Sequence, residues 1–294
     1  MPFVNTRFLR IAYDDHQPRA KKAVILLHGW PDSPRTWQGV LPGLLAAGYR
    51  VIVPTLRGFG ETTFLHAHTP RSGQLAALGR DLLELIAALK LDKPALVGHD
   101  WGARAAANAY GLEPDMVSHL AMLSVGYGTN NPSQALGMEQ ARRYWYHWYM
   151  ATERGQAEVA RNRRAFTQIM WDTWSPPGWY SAEEFAQTAR AFDNPDWLAV
   201  TLHSYQHRWG HARGEPVYAD DEAVLQKPPT IQVPALLIHG QDDGVTLLSS
   251  TEQTERYCAS GFTRHVLPGV GHFPQREAPE LVSRHLLNFL RPDR

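Results

Sequence analysis

The chain has 294 residues, with 29 Lys and Arg against 29 Asp and Glu, so its formal net charge is zero and no global field draws it to nucleic acid or an anionic membrane. The single cysteine, Cys258, excludes an intramolecular disulfide and any Cys-rich metal site, and fits a reducing compartment. Residues 1–10 lack the apolar core of a signal peptide, and no segment offers the roughly 18 to 20 consecutive apolar residues of a membrane span, so a cytoplasmic location is expected.

Taken in order, Thr6–Tyr13 reads as an edge strand, and Ala23–Leu27 is an uninterrupted apolar run of the kind buried in a parallel sheet. The run ends at His28-Gly-Trp-Pro31. Thr36–Ala47 reads as a helix, Tyr49–Val53 as a strand, Arg57-Gly-Phe-Gly60 as a loop, and Gln74–Leu91 as a long helix with apolar residues three and four apart. Ala95–Val97 is again a short buried strand, Ala103–Tyr110 an alanine-rich helix and Val117–Val125 a further strand. Strand alternating with helix predicts a parallel, doubly wound sheet. The rhythm then breaks. Residues 126–229 are Trp- and Tyr-rich, with helical patterns at Arg142–Arg154, Gln156–Trp171, Glu183–Ala191 and Asp196–His207. This segment reads as a helical cap inserted into a core formed by residues 1–125 and 230–294. The core resumes with strand Pro234–His239, helix Leu248–Cys258, strand Thr263–Leu267 and helix Glu277–Leu290.

The stretch that carries chemistry is Ala95-Leu-Val-Gly-His-Asp-Trp-Gly-Ala103. Gly98 and Gly102 flank Asp100 in the spacing of the G-x-S-x-G nucleophile elbow, where glycines let strand and helix backbones crowd around a strained turn. Here the elbow residue is a carboxylate. A carboxylate can displace a leaving group from saturated carbon and form an alkyl-enzyme ester that water must hydrolyse.

At these residues the sequence resembles, over nearly its whole length, the α/β-hydrolase superfamily, in the branch of epoxide hydrolases and haloalkane or haloacid dehalogenases. The resemblance implies an α/β-hydrolase fold with a helical cap, Asp100 as nucleophile and, as general base, the histidine of the loop Pro268-Gly-Val-Gly-His272-Phe-Pro274. It implies an orienting acid at the last position of Gly240-Gln-Asp-Asp243, with Asp242 left to cap a turn or to exchange roles with it. His28-Gly-Trp-Pro31 is similar to the H-G-x-P motif of epoxide hydrolases, which makes the amides of Trp30 and Trp101 the oxyanion donors, their indoles substrate-facing or packed in the core, and Trp30–Pro31 a cis bond.

In the cap, Leu202–Arg208 resembles the helix of the second epoxide hydrolase tyrosine, which would be Tyr205, while the alignment of Tyr146–Glu158 puts His147 where the first tyrosine normally stands. His147-Trp148 resembles instead the His-Trp pair with which fluoroacetate-type dehalogenases hold a halide. Those enzymes grip a substrate carboxylate with arginines after the nucleophile, of which only Arg104 remains here, and carry the triad acid after the strand before the cap, where this chain has Ser124-Val-Gly126. Tyr144, His147, Trp148 and Arg104 are therefore candidate substrate contacts.

His203, His207 and His211 recur every four residues, but Gly210 interrupts the helix and no carboxylate completes a metal site; no metal or cofactor is expected. The expected activity is conversion of an epoxide to a vicinal diol, with hydrolytic dehalogenation as the alternative and a non-catalytic ligand receptor as a third reading. The expected partner is a small apolar electrophile, and a homodimer remains open.

Overall fold

The computed structural model describes residues 1–128 and 135–291. Among the described residues nine strands form one sheet: β1 (Phe3–Asn5), β2 (Leu9–His16), β3 (Ala23–Leu27), β4 (Arg50–Pro54), β5 (Thr63–Phe64), β6 (Ala95–His99), β7 (His119–Leu123), β8 (Ala235–Gly240) and β9 (Phe262–Leu267). The order is β1-β2-β4-β3-β6-β7-β8-β9, with β5 beside β2; strands from β4 through β9 along this order are parallel, and β2 pairs antiparallel with β1, β4 and β5. The expected edge strand at residues 6–13 is thus a second strand. Thr6 closes a turn onto Leu9 through its amide and hydroxyl, and that turn folds β1 back along β2 as the true edge.

Helices from the first half are α1 (Leu41–Ala46), α2 (Leu75–Ala88) and α3 (Trp101–Leu112). The helix expected at 36–47 divides into a 3₁₀ turn at Pro34–Trp37 and α1, because Pro42 has no amide hydrogen and is accommodated only in a first turn. Side chains alternate across the strands: Val24 and Leu26 pack with Trp37, Leu44 and Val282 on one face, whereas Ile25 and Leu27 pack with the α2 and α3 side on the other.

Between β7 and β8 the described residues contain no strand. They fold into α4 (Met138–Arg143), α5 (Trp145–Ala151), α6 (Glu153–Arg161), α7 (Arg163–Trp174), α8 (Ala182–Ala189), α9 (Trp197–Arg208) and α10 (Ala219–Leu225). Residues 129–134 of the expected 126–229 insertion, and 292–294 of the core, lie outside the described residues. The helix expected at 142–154 is cut at Tyr144 and at Thr152, whose hydroxyl caps α6 by accepting from the Gly155 amide. The one expected at 156–171 is cut at Asn162, which leaves the helical region and donates to Glu158. After β8 come α11 (Ser249–Glu252), α12 (Pro274–Glu277) and α13 (Pro279–Phe289), so that helices expected at 248–258 and 277–290 are also broken, the latter by Pro279. Arg276 ties this end to the rest: its guanidinium grips Asp32 with two nitrogens and reaches Glu184 of the cap.

No helix among the described residues is long and apolar enough to cross a membrane, and no group of three His, Cys, Asp or Glu there could hold a metal ion.

The approach of α3 to the sheet explains the glycine spacing at the elbow. A Cβ on Gly102 would lie 2.2 Å from the Leu27 carbonyl oxygen, and one on Gly98 would lie 2.1 Å from that of Gly102. Both obstacles are backbone and cannot swing away. Gly102→Ala is therefore expected to cost on the order of 4 kcal/mol or more. Scanning calorimetry should read this as a fall of roughly 8 °C in melting temperature, and an unchanged transition would refute the argument.

Candidate active site

Asp100 sits between β6 and α3 at φ +50° and ψ −112°, a left-handed backbone that few side chains tolerate. This turn lifts its carboxylate off the end of the sheet, and the side chain remains 14% exposed inside an otherwise closed surround. The Trp30 amide donates to Asp100 Oδ1 at 2.8 Å. The Trp30 loop is itself braced by His28, which donates from Nδ1 to the Gly29 carbonyl and accepts the Leu56 amide at Nε2. Burial lowers the His28 pKa to about 4, which keeps that accepting nitrogen free of a proton. Trp30–Pro31 is cis. Trp101, the other expected amide donor, is the first residue of α3, where backbone N–H groups have no partner within the helix.

His272 Nδ1 lies 2.8 Å from Asp243 Oδ2, and its Nε2 lies 3.9 Å from Asp100 Oδ2. That Nε2 is buried without a partner. Burial alone would depress the imidazole pKa, but the charge and hydrogen bond of Asp243, joined by the charges of Asp100 and Glu277, together outweigh it and hold His272 above the ordinary histidine value. Burial likewise opposes ionisation of Asp243, yet the His272 charge and hydrogen bonds keep it below the usual carboxylate range. Asp242 is exposed and plays no part in this contact.

Several groups with no signature in the sequence complete the arrangement. His239 Nε2 lies 3.1 Å from the same Asp243 oxygen, while the amides of Val245 and Thr246 donate to Asp243 Oδ1. Glu277 accepts from the Gly271 and Phe273 amides and from Ser175, whose hydroxyl also receives the His272 amide. The indole of Trp174 meets the His272 ring edge to face at 5.0 Å. The contacts of Ser175 and Trp174 join residues about one hundred positions apart, so spacing along the chain carries no signal for them.

On the cap side Tyr205 is buried, and its hydroxyl accepts the Trp101 indole N–H at 3.1 Å. The Tyr205 proton is thus left to donate elsewhere. Burial and then the Asp100 charge hold its pKa well above the ordinary phenol value. The His147 ring lies 4.5 Å from that of Tyr205. Its Nδ1 receives the Trp209 indole N–H at 3.0 Å, and its Nε2 is buried with no partner. Because Nδ1 accepts, the neutral ring carries its proton on Nε2. Burial, followed by the charges of Arg208 and Arg104, keeps His147 well below the ordinary pKa, so it stays neutral and remains a donor.

Of the other expected contacts, Tyr144 stacks on His147 at 4.4 Å. Arg104 is buried, its pKa pulled down to about 10 by burial and then by Arg208, with Asp100 among the charges opposing the fall. Trp148 is turned away: its indole N–H donates to the Ala141 carbonyl and its ring lies against Trp209. The indoles of Trp30 and Trp101 are fully buried, and the former donates to Thr201 at 3.2 Å. Tyr146, absent from the expected site, stacks on Trp30 at 5.6 Å and meets Tyr205 edge to face at 5.3 Å. Its place in a six-residue run of aromatics and histidine concealed which face it would take.

A family model described as the alpha/beta hydrolase fold matches residues 22–279. The chain is 31% identical to an epoxide hydrolase of Caballeronia sordidicola over 92% of its own length and 88% of the relative's, and 28% identical to epoxide hydrolase A of Mycobacterium tuberculosis over 98% and 96%. Among solved structures, a protein of Klebsiella pneumoniae subsp. pneumoniae provisionally called an epoxide hydrolase superposes with a TM-score of 0.93 at 37% identity, covering 98% of this chain and 96% of that one. The elbow, the surrounding sheet and these likenesses agree: the chain belongs to the α/β-hydrolase family, as an enzyme of its epoxide hydrolase branch.

Proposed function

We propose that this enzyme converts an epoxide to a vicinal diol through an ester on Asp100. The observation that carries the reading is the division of labour between the two Asp100 oxygens. Oδ1 is held by the Trp30 amide, whereas Oδ2 is 3.9 Å from the unpartnered Nε2 of His272. Asp100 attacks an oxirane carbon and the C–O bond breaks. The departing oxygen is an alkoxide, a poor leaving group until it receives a proton or a strong hydrogen bond. Tyr205 O–H, whose hydroxyl also meets the Trp101 indole N–H and the Tyr146 side chain, and His147 Nε2–H, which has no partner among the described residues, are neutral donors, and they meet that oxygen. His272 then takes a proton from water, which attacks the ester carbonyl while the Trp30 and Trp101 amides stabilise the charge on its oxygen. The tetrahedral intermediate collapses, the departing diol oxygen takes the remaining proton of the added water, and the proton held by His272 returns to the cap donor that gave one to the alkoxide, so that Asp100, His272 and the donor are all restored.

The alternative, hydrolysis of a carbon–halogen bond through the same ester, needs N–H donors for a halide. Trp148 gives its indole hydrogen to Ala141, Trp101 to Tyr205 and Trp30 to Thr201, so that His147 lacks the indole partner of a halide pair and stands instead beside the Tyr205 hydroxyl, an arrangement that favours an oxygen as the leaving atom. Incubation with styrene oxide should yield 1-phenyl-1,2-ethanediol by chromatography, and Tyr205→Phe should lower kcat by about 10²-fold, the lower end of a general acid's contribution, because His147 remains. Halide release from bromoalkanes or haloacetates without diol from any epoxide would overturn the proposal.

A further inference from the structure

Arg208 ends α9 one helical turn beyond Tyr205, with its guanidinium carbon 5.2 Å from the centre of the Tyr205 ring. Its Nε and Nη2 are both buried and neither has a hydrogen-bond partner among the described residues. These two nitrogens form the fork edge of a guanidinium, the edge whose parallel N–H bonds match the two oxygens of a carboxylate. The same chain shows what that edge does elsewhere. Arg50 grips Asp15 with Nε and Nη2, Arg57 grips Asp81, Arg80 grips Asp221, Arg142 grips Glu139 and Arg276 grips Asp32. Arg208 makes no ion pair with an acid among the described residues. Its charge instead bears on Arg104, a buried cation, and on Tyr144, Tyr146, His147 and Tyr205. An unneutralised guanidinium is costly there, because Arg208 is only partly exposed, its fork edge is shut off from water and no anion stands in for the lost hydration.

We propose that the fork edge of Arg208 binds a carboxylate carried by the substrate. The substrate class is then an epoxide with an apolar, aromatic-compatible body and a carboxylate a few bonds from the oxirane, rather than a wholly apolar epoxide. The aromatic wall of Tyr144, Tyr146 and Tyr205 takes the body, and Arg208, lying over the Tyr205 ring, fixes the end that bears the charge. This assignment rests on the epoxide-opening role proposed for Tyr205, but its test does not.

The test is equilibrium binding without turnover. Phenylacetate and phenylacetamide, equal in shape and different in charge, are titrated into the full-length enzyme at constant ionic strength, with the quench of tryptophan fluorescence as readout and inorganic phosphate as a control anion. Phenylacetate should bind at least tenfold more tightly than the amide. Arg208→Met should erase the difference, and Arg208→Lys, which keeps the charge without the fork, should restore only part of it. Equal affinities in the unmodified enzyme, a preference that survives Arg208→Met, or phosphate competing with phenylacetate as well as phenylacetate itself binds would overturn the proposal. The unmodified enzyme alone decides the first outcome, so poor folding of a variant does not leave the question open. If no epoxide is hydrolysed yet the acid outbinds the amide, the carboxylate site stands and the epoxide chemistry falls.

Discussion

Replacing Asp100 with Asn is expected to reduce diol formation on the order of 10⁴-fold or more, because the nucleophile of the first step is lost while nothing else in the site moves. Asn is the replacement of choice at φ +50°, since its short polar side chain tolerates left-handed backbone better than Ala does. Its amide oxygen can still accept the Trp30 N–H that Oδ1 now receives. Melting should therefore stay within about 2 °C of the unmodified enzyme, a loss of less than about 1 kcal/mol. Mass spectrometry of the purified variant must show the amide intact, because His272 stands where it could activate water to hydrolyse it. A companion measurement uses the unmodified enzyme in a single turnover in heavy-oxygen water. If water attacks the ester carbonyl, the label enters Asp100 and the diol carries the old carboxylate oxygen. Label in the diol alone, or a variant within tenfold of full activity, would mean that water attacks the epoxide directly and that Asp100 is not the nucleophile.

The parts of this site visible in the sequence are those encoded by local rules. Asp100 announces itself because a five-residue strand, two glycines that no Cβ could replace and an alanine-rich helix follow one another between Ala95 and Leu112. The juxtaposition of Asp243 with His272 could be expected from chain order after successive strands, and a sheet of parallel strands presents the loops beyond β8 and β9 side by side. The cap lacked such rules. Six consecutive rings cover every face of a helix, and which of them turn inward depends on the break at Tyr144, a feature of tertiary packing. His147 turns toward Tyr205, Tyr146 joins it, and Trp148 turns toward α4. The partners that set protonation states, Trp209 on His147 and His239 on Asp243, were not legible at all, because a hydrogen bond made by a lone tryptophan or histidine leaves no periodic trace.

Replacing His272 with Gln is expected to separate the two halves of the reaction. Attack by Asp100 on the epoxide requires no base, so alkylation should proceed at near its normal rate. Hydrolysis of the ester requires a group that removes a proton from water, and its loss should slow that step by about 10³-fold, within the range usual for a positioned general base. The ester then accumulates. Intact-protein mass spectrometry should show an increase equal to one epoxide, and the modified peptide should be the one containing Asp100. The unmodified enzyme offers the same separation through pH. His272 acts as base only when neutral, and the adjacent carboxylate of Asp243 raises its pKa against the effect of burial. Ester hydrolysis should therefore rise with pH until it passes that raised value and level off above it, while alkylation should not follow this profile. Below it the ester should build up even in the unmodified enzyme, and quenching single turnovers across the range should find most of it at the acid end. His272→Gln that neither accumulates an adduct nor loses activity, or an adduct on a peptide without Asp100, would show that this imidazole does not serve the second step.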